Sequence, residues 1–267
     1  MIRLAAILAA VTAEALALYT LAEWFAAGYD VDSHALSWWA FVSVALAAFA
    51  VPRITQWLAL SERASYITLG AAAYVLIYGF IRIRYAGDLA LWDFGWIPDF
   101  IGDSETAAGR GSHAATSTLL LVVLWVRQSN RSVDDMDLEA MPRALGPLFA
   151  LVTVVAVFGA ITGRAGEVGR AAAAFYAVAI PALALSQLAL SGMTVGQVRS
   201  GGITAVLLGG TIAATLVCVV VAAVGLAFFG PIVGPPLDRG IEIVLTIILT
   251  PPAIVLAWFF DLIFPDE

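Results

Sequence analysis

The sequence contains few of the residues that soluble enzymes and nucleic-acid-binding proteins use. It has no lysine, one cysteine and two histidines among 267 residues, and only 12% of the chain is charged, whereas a typical soluble domain is roughly a quarter charged. A single cysteine excludes an internal disulfide and a cysteine-based zinc site. The formal net charge of −7 leaves no basic surface for nucleic acid.

Known signatures of metal binding and catalysis are also missing. His34 and His113 lie far apart in the sequence and form no metal-binding motif, and Cys218 lies in an apolar run, which is typical of a thiol that acts as a small core hydrophobe. The chain has no nucleophile elbow, Walker loop or dinucleotide-binding fingerprint. We therefore expect no cofactor, no metal and no enzymatic activity.

Long apolar runs are abundant instead. Apolar residues make up 62% of the chain, and runs of about 20 of them, enough to cross a bilayer, recur along nearly its whole length. This pattern predicts an all-α, polytopic integral membrane helical bundle of about eight transmembrane helices, which forms a single domain over residues 1–267. The predicted spans cover residues 4–27, 36–60, 64–86, 113–127, 144–162, 170–190, 202–229 and 240–264.

The last predicted span carries Pro251 and Pro252 at its centre. Two prolines remove two backbone donors and should kink or break a helix. The favoured interpretation is a bent spanning helix, because apolar residues continue beyond the prolines. The alternative is a re-entrant hairpin, which would leave seven transmembrane helices.

Loop composition gives an orientation. Residues 30–34 contain no arginine, which indicates an external loop, whereas residues 54–63 contain Arg63, which indicates an internal one. Both termini are therefore predicted inside, in a cytoplasmic membrane. The use of arginine alone as the basic residue, with much Ala, Val and Gly, is typical of a GC-rich prokaryote. On this topology residues 87–112 form an external aromatic and acidic loop, and residues 128–143 form an internal acidic linker.

The external loop contains three alternating aromatic residues, Trp92, Phe94 and Trp96. Amphipathic aromatic rings concentrate at the boundary between lipid and water. We expect these three side chains to lie at that boundary. A loop that gathers an external ligand is the alternative.

An acidic residue within a span is costly and counts as a functional hypothesis. Glu14 lies about 15 Å along the first span at about 1.5 Å per residue, near the membrane midplane, with no arginine expected at its depth. Tyr74, Thr153 and Thr211 fall at comparable depths. The spacing predicts a neutral carboxyl that is hydrogen-bonded to one of these hydroxyls, so that Glu14→Gln would be nearly neutral for stability. Proton or cation coupling in a transporter is the alternative.

A second acid of the first span, Glu23, is expected near the outer surface and on the opposite side of the helix from Glu14. Arg82 and Arg84, which close the third span, fall at about the same depth. We expect a structural ion pair between Glu23 and these arginines.

Several features of the second half of the chain follow a recognisable order. LLLVVLWVRQ (119–128) is followed by an acidic linker, then FYAVAIPALALSQLALS (175–191), FFGPIVGPPL (228–237) and the proline-bearing last span. This order resembles the membrane region of bacterial polytopic proteins of unknown function that are associated with transglutaminase-like membrane proteins. The resemblance covers about the last 150 residues. It carries over no catalytic residue, because the Cys-His-Asp set of the transglutaminases has no counterpart here.

Two hypotheses on function follow. The first is a non-enzymatic integral membrane scaffold or accessory subunit, which packs with membrane lipids, with a membrane-protein partner or with further copies of itself. The second is a secondary transporter or lipid-handling protein that uses Glu14, Tyr74 and the last helix broken at Pro251 and Pro252.

Overall fold

The computed structural model describes residues 2–27, 36–85, 95, 110–131, 138–161 and 165–190. Within these residues every regular element is an α-helix, and there is no strand. The six helices are α1 (Ile2–Ala27), α2 (Trp38–Trp57), α3 (Glu62–Tyr85), α4 (Arg110–Ser129), α5 (Met141–Ile161) and α6 (Ala165–Leu190). The fold class is therefore helical across the described part of the chain, as the sequence predicts.

Five of these helices are long and apolar enough to cross a membrane, namely α1, α2, α3, α5 and α6. α4 is not among them, because arginine, serine, threonine and histidine occupy its two ends. It extends over Arg110–Ser129, beyond both ends of the predicted span 113–127. α4 therefore includes the end of the predicted loop 87–112 and the beginning of the predicted linker 128–143.

A tight turn joins α2 to α3. The N–H of Leu60 donates to the carbonyl of Thr55 at 3.1 Å, and the N–H of Ala59 donates to the carbonyl of Gln56 at 3.0 Å. This pair of bonds is the Schellman arrangement that satisfies the last carbonyls of a helix. Ala59 has a φ of 49°, a left-handed conformation that usually falls to glycine. Only a few residues therefore separate the two helices.

α1 is the centre of the described bundle and packs against α2, α4, α5 and α6, whereas α3 lies at the periphery against α2 and α4. The most extensive contact is between α1 and α6. Both helices bury small side chains, which allow their backbones to approach closely. These buried alanines include Ala6, Ala10, Ala13, Ala17, Ala171, Ala172, Ala179 and Ala182.

The crossing of α5 and α6 is also close. A Cβ added at Gly159 would lie 3.0 Å from both Cβ and Cγ1 of Val168, and Val168 is fully buried. Val168 lies in the first turns of α6, so this contact fixes the beginning of that helix against the end of α5. Gly146, on the same helix α5, has open space around it.

Candidate functional site

Ionisable side chains gather in two regions of the described bundle, and each region contains one acid of α1. The first, which we name the Glu14 cluster, comprises Glu14, Arg53, Arg127, Gln128 and Arg131. The second, which we name the Glu23 cavity, is an open cavity between α1, α2, α3 and α6.

Glu14 is buried in the Glu14 cluster, with only 2% of its surface exposed. Nε of Arg127 forms an ion pair with Oε1 of the carboxylate, and Nη1 of Arg131 forms one with Oε2. Nε2 of Gln128 donates a third hydrogen bond to Oε2 at 2.8 Å. Arg127 and Gln128 lie in the last turn of α4, where arginine is also favoured by the negative end of the helix dipole, and Arg131 follows directly after the helix.

Arg53 of α2 completes the Glu14 cluster. Its Nη2 donates to the backbone carbonyl of Arg131 at 3.1 Å, and its Nη1 donates to the carbonyl of Phe49. The guanidinium also lies over the Phe49 ring, 3.4 Å from its centroid, a cation–π arrangement. The cluster therefore joins α1, α2 and α4 through groups that are partly or fully withdrawn from solvent.

The partners of Glu14 differ from those that the sequence predicts. Tyr74 is 61% exposed and stacks on Tyr78, and the Thr153 hydroxyl lies 2.6 Å from the Tyr176 hydroxyl. Thr211 lies outside the described residues. The expected hydrogen bond between Glu14 and the hydroxyl of Tyr74 or Thr153, with no arginine at the same depth, is therefore wrong. Two guanidinium groups are in direct contact with the Glu14 carboxylate instead.

The predicted partners of Glu14 are wrong because they assume that all helices begin at a common plane in the membrane. Arg53 is one turn from the end of α2, and Arg127 is in the last turn of α4. Glu14, in contrast, is about 18 Å from the first residue of α1 at about 1.5 Å per residue. The ends of α2 and α4 therefore meet α1 at its middle. The run RQSNR at 127–131 was a visible signal, because three long polar side chains follow an apolar run there.

The Glu23 cavity has a volume of about 830 Å³, within the range of roughly 300–1,000 Å³ that is usual for ligand sites. Four of its lining residues are charged, namely Glu23, Arg84, Glu167 and Arg170. The remaining walls are largely apolar and include Leu16, Val42, Phe80, Ala174, Ala177 and Val178, with Trp38 and Trp39 at the start of α2.

The charged residues of the Glu23 cavity lie at one end, and its walls become apolar further in. On α1 the lining extends from Glu23 to Thr12, and on α6 from Glu167 to Val178. Each stretch covers about 16 Å at about 1.5 Å per residue. The acids and arginines lie at one end, near the C-terminal end of α3, and the deeper walls are apolar. The Thr12 hydroxyl at the far end donates to the Leu8 carbonyl, so it is already bonded.

Polar groups at the charged end are connected to one another. The Tyr19 hydroxyl is hydrogen-bonded to the Glu23 carboxylate one turn further along α1, and the charges of Arg170 and Glu167 act on the same hydroxyl. Glu23 is 4% exposed. Nε of Arg170 donates to the Gly166 carbonyl at 3.0 Å, which fixes that arginine at the beginning of α6.

The predicted partners of Glu23 lie on two sides of α3. Arg84 lines the same cavity as Glu23, whereas Arg82 is buried and is not part of the lining. The ion pair between Glu23 and these arginines stays a prediction. Glu167, Arg170, Trp38 and Trp39 were not anticipated from the sequence, since nothing local indicates that the beginnings of α2 and α6 meet.

Several predicted residues lie outside the described part of the chain, namely Trp92, Phe94, Trp96, Pro251 and Pro252. The interfacial aromatics and the broken last helix therefore stay predictions. Within the described residues, no three His, Cys, Asp or Glu side chains are grouped as a metal site would require.

Comparison of the chain with models of protein families, with curated proteins and with solved structures finds no match. The resemblance to the membrane region of proteins associated with transglutaminase-like membrane proteins stays a prediction. The two polar regions of the bundle are therefore the basis for any statement on function.

Proposed function

We propose that this chain is a non-enzymatic integral membrane protein of a prokaryotic cytoplasmic membrane, which serves as a scaffold or accessory subunit. In this proposal five apolar helices, α4 and the predicted spans 202–229 and 240–264 form a bundle of about eight transmembrane helices. Both termini face the cytoplasm. The partners are membrane lipids and either a membrane protein or further copies of this chain.

The observation that carries the proposal is the set of side chains that bind the Glu14 carboxylate. A carboxyl that couples transport to protons or cations must exchange its partners during the cycle. Glu14 instead has Arg127 and Gln128 of α4 in contact with it, together with Arg131 just beyond that helix, and the backbone of Arg131 is bonded in turn to α2. An acid with this many internal partners suits a group that fixes three helices to one another.

The exposed surface of the bundle also supports an embedded protein. Large apolar side chains project outward from α2, α3, α4 and α5. Exposed apolar side chains in this number are unfavourable in water and are natural against lipid or another membrane helix. α3 contributes Tyr66, Ile67, Val75 and Ile83 to this surface.

Oligomeric state in a mild detergent tests the scaffold proposal. We expect the protein mass in the particle, measured by light scattering with subtraction of the detergent, to exceed the 28.1 kDa of one chain. It would exceed it either as a multiple of that mass or with a second, stoichiometric chain. A single 28.1 kDa chain alone, across several mild detergents, would contradict the proposal.

The second candidate is a lipid-handling protein, and the observation that favours it is the Glu23 cavity with its charged end and apolar depth. A transporter that depends on Glu14 is a distinct version of the same hypothesis. Reconstitution into liposomes with a pH gradient separates them, since a Glu14-coupled transporter loses flux in Glu14→Gln, whereas lipid handling through the Glu23 cavity does not require that carboxylate.

A further inference from the structure

We propose that the Glu23 cavity binds one zwitterionic phospholipid whose headgroup carries both a phosphate and a primary ammonium group. The inference deepens the lipid-handling candidate and rests on the proposed insertion of the bundle into a membrane. The headgroup lies at the charged end of the cavity, and one acyl chain lies along its apolar walls.

The composition of the charged end favours a headgroup with both signs of charge. Two arginines, Arg84 and Arg170, and two acids, Glu23 and Glu167, line the cavity, so the four formal charges balance. Guanidinium groups are well suited to phosphate oxygens through charge-assisted, bidentate hydrogen bonds. Carboxylates suit an ammonium group. A purely anionic headgroup would place a negative charge beside the acids with no cation of its own to offset it.

The depth of the cavity matches one leaflet. The stretch from Glu23 to Thr12 covers about 16 Å, and the hydrocarbon layer of a whole bilayer is about 30 Å thick. A lipid whose phosphate lies near Arg84 and Arg170 therefore reaches the level of Thr12 and Val178 with the middle of its acyl chain.

The side chains along this depth suit a hydrocarbon chain. Leu16, Ala174, Ala177 and Val178 offer apolar surface on α1 and α6. Trp38 and Trp39 are partly exposed and stand at the charged end, where tryptophan is enriched at membrane interfaces. The Trp39 ring packs edge-on against Phe80 at 4.9 Å, which fixes the wall on the side of α2 and α3.

Native mass spectrometry of the purified full chain tests the proposal. The delipidated protein is titrated with phosphatidylethanolamine, phosphatidylglycerol and diacylglycerol that carry the same acyl chains. We expect one phosphatidylethanolamine to bind more tightly than phosphatidylglycerol, and phosphatidylglycerol more tightly than diacylglycerol. Equal binding of all three lipids would overturn the assignment.

Substitutions that remove charges identify the residues that bind the headgroup. Arg84→Gln with Arg170→Gln removes both guanidinium groups and should weaken phosphatidylethanolamine binding by more than about tenfold, because the loss of a single hydrogen bond to a charged group already has about that effect. Glu167→Gln should remove the preference for phosphatidylethanolamine over phosphatidylglycerol. Arg63→Gln is the matched control, because Arg63 is also exposed on α3 but stands at its opposite end. An equal loss in Arg63→Gln would contradict the proposal.

Two alanine-to-tryptophan substitutions on α6 test lipid binding by a steric effect if the charge variants fail to fold. Ala177 and Ala173 are both exposed alanines of α6, but only Ala177 lines the cavity. Ala177→Trp should fill the apolar depth and reduce binding of phosphatidylethanolamine about tenfold or more, the change expected if a few contacts of the acyl chain are lost. Ala173→Trp should leave it unchanged. Unchanged binding in Ala177→Trp would overturn the proposal and would leave the oligomeric scaffold untouched, since light scattering measures that separately.

Discussion

The Glu14 cluster and the Glu23 cavity each combine an acid of α1 with arginines of other helices, yet they differ in what surrounds the charges. In the Glu14 cluster the carboxylate oxygens are in contact with Arg127, Gln128 and Arg131, and no space remains for a ligand between them. In the Glu23 cavity the charged side chains line an open volume of about 830 Å³. The same residue types can therefore fix helices in one place and leave a binding site in another.

The difference follows from the helices that meet at each acid. The end of α4 brings three long polar side chains directly onto the middle of α1. At the other acid, the beginnings of α2 and α6 and the end of α3 line an open cavity beside α1. An acid within a span can therefore fix helices where they close around it, and it can contribute to a binding site where they leave a cavity. Substitutions in both regions test whether this distinction holds.

Glu14→Gln should have the largest effect. It removes the carboxylate that pairs with Arg127 and Arg131, and it leaves the Arg131 guanidinium, which is largely withdrawn from water, without that partner. We expect a loss of about 3 kcal/mol in the free energy of unfolding, typical of breaking a buried ion pair from one side. Thermal unfolding in detergent measures it. A nearly neutral Glu14→Gln, which the sequence alone predicted, would mean that the carboxyl is protonated and that the cluster does not hold the helices.

Arg131→Gln should cost more than Arg127→Gln. The Arg131 side chain is 22% exposed, whereas the Arg127 side chain is 49% exposed. We expect losses of about 2 and about 1 kcal/mol, because screening by solvent weakens the more exposed pair. Combining Arg131→Gln with Glu14→Gln should cost less than the sum of the two. Strict additivity would show that the two side chains do not interact.

Gly159→Ala tests whether the Glu23 cavity depends on the packing of α5 against α6. The added methyl group would lie 3.0 Å from Val168, and the resulting shift should cost about 1 kcal/mol, the lower end for overpacking. The beginning of α6 carries Glu167 and Arg170, so phosphatidylethanolamine binding should weaken as well.

Gly146→Ala is the matched control, because its surroundings are open and alanine is the better helix former by up to about 1 kcal/mol. It should be neutral or stabilising and should leave lipid binding unchanged. A loss of stability in Gly146→Ala equal to that in Gly159→Ala would show that the close contact with Val168 is not the cause.

Arg84→Gln should have the smallest effect on stability. Arg84 is exposed at the cavity mouth, and exposed charges contribute about 0–1 kcal/mol. Its effect should instead fall on lipid binding. A loss of stability as large as that of Glu14→Gln would remove the distinction between the two regions.

The sequence predicts most of the described helices, but it does not predict the contacts between them. The predicted spans 4–27 and 144–162 agree closely with α1 and α5, because apolar runs of this length have few alternatives to a helix. The partners of Glu14 required the relative displacement of α1, α2 and α4 along their axes. Such a displacement is set by packing of Ala-rich faces, which leaves no local mark in the sequence. Glu23 and Arg84 line one cavity, and the ion pair of Glu23 with Arg82 and Arg84, which was predicted from their similar depth, stays a prediction.

The Glu14 cluster also has a consequence for biosynthesis. Glu14 is translated more than a hundred residues before Arg127 and Arg131, which bind its carboxylate. During that interval α1 lacks the contacts that fix its middle to α2 and α4. The final position of α1 therefore depends on the arrival of α4, so the maturation of the bundle is tied to the order in which its helices are translated.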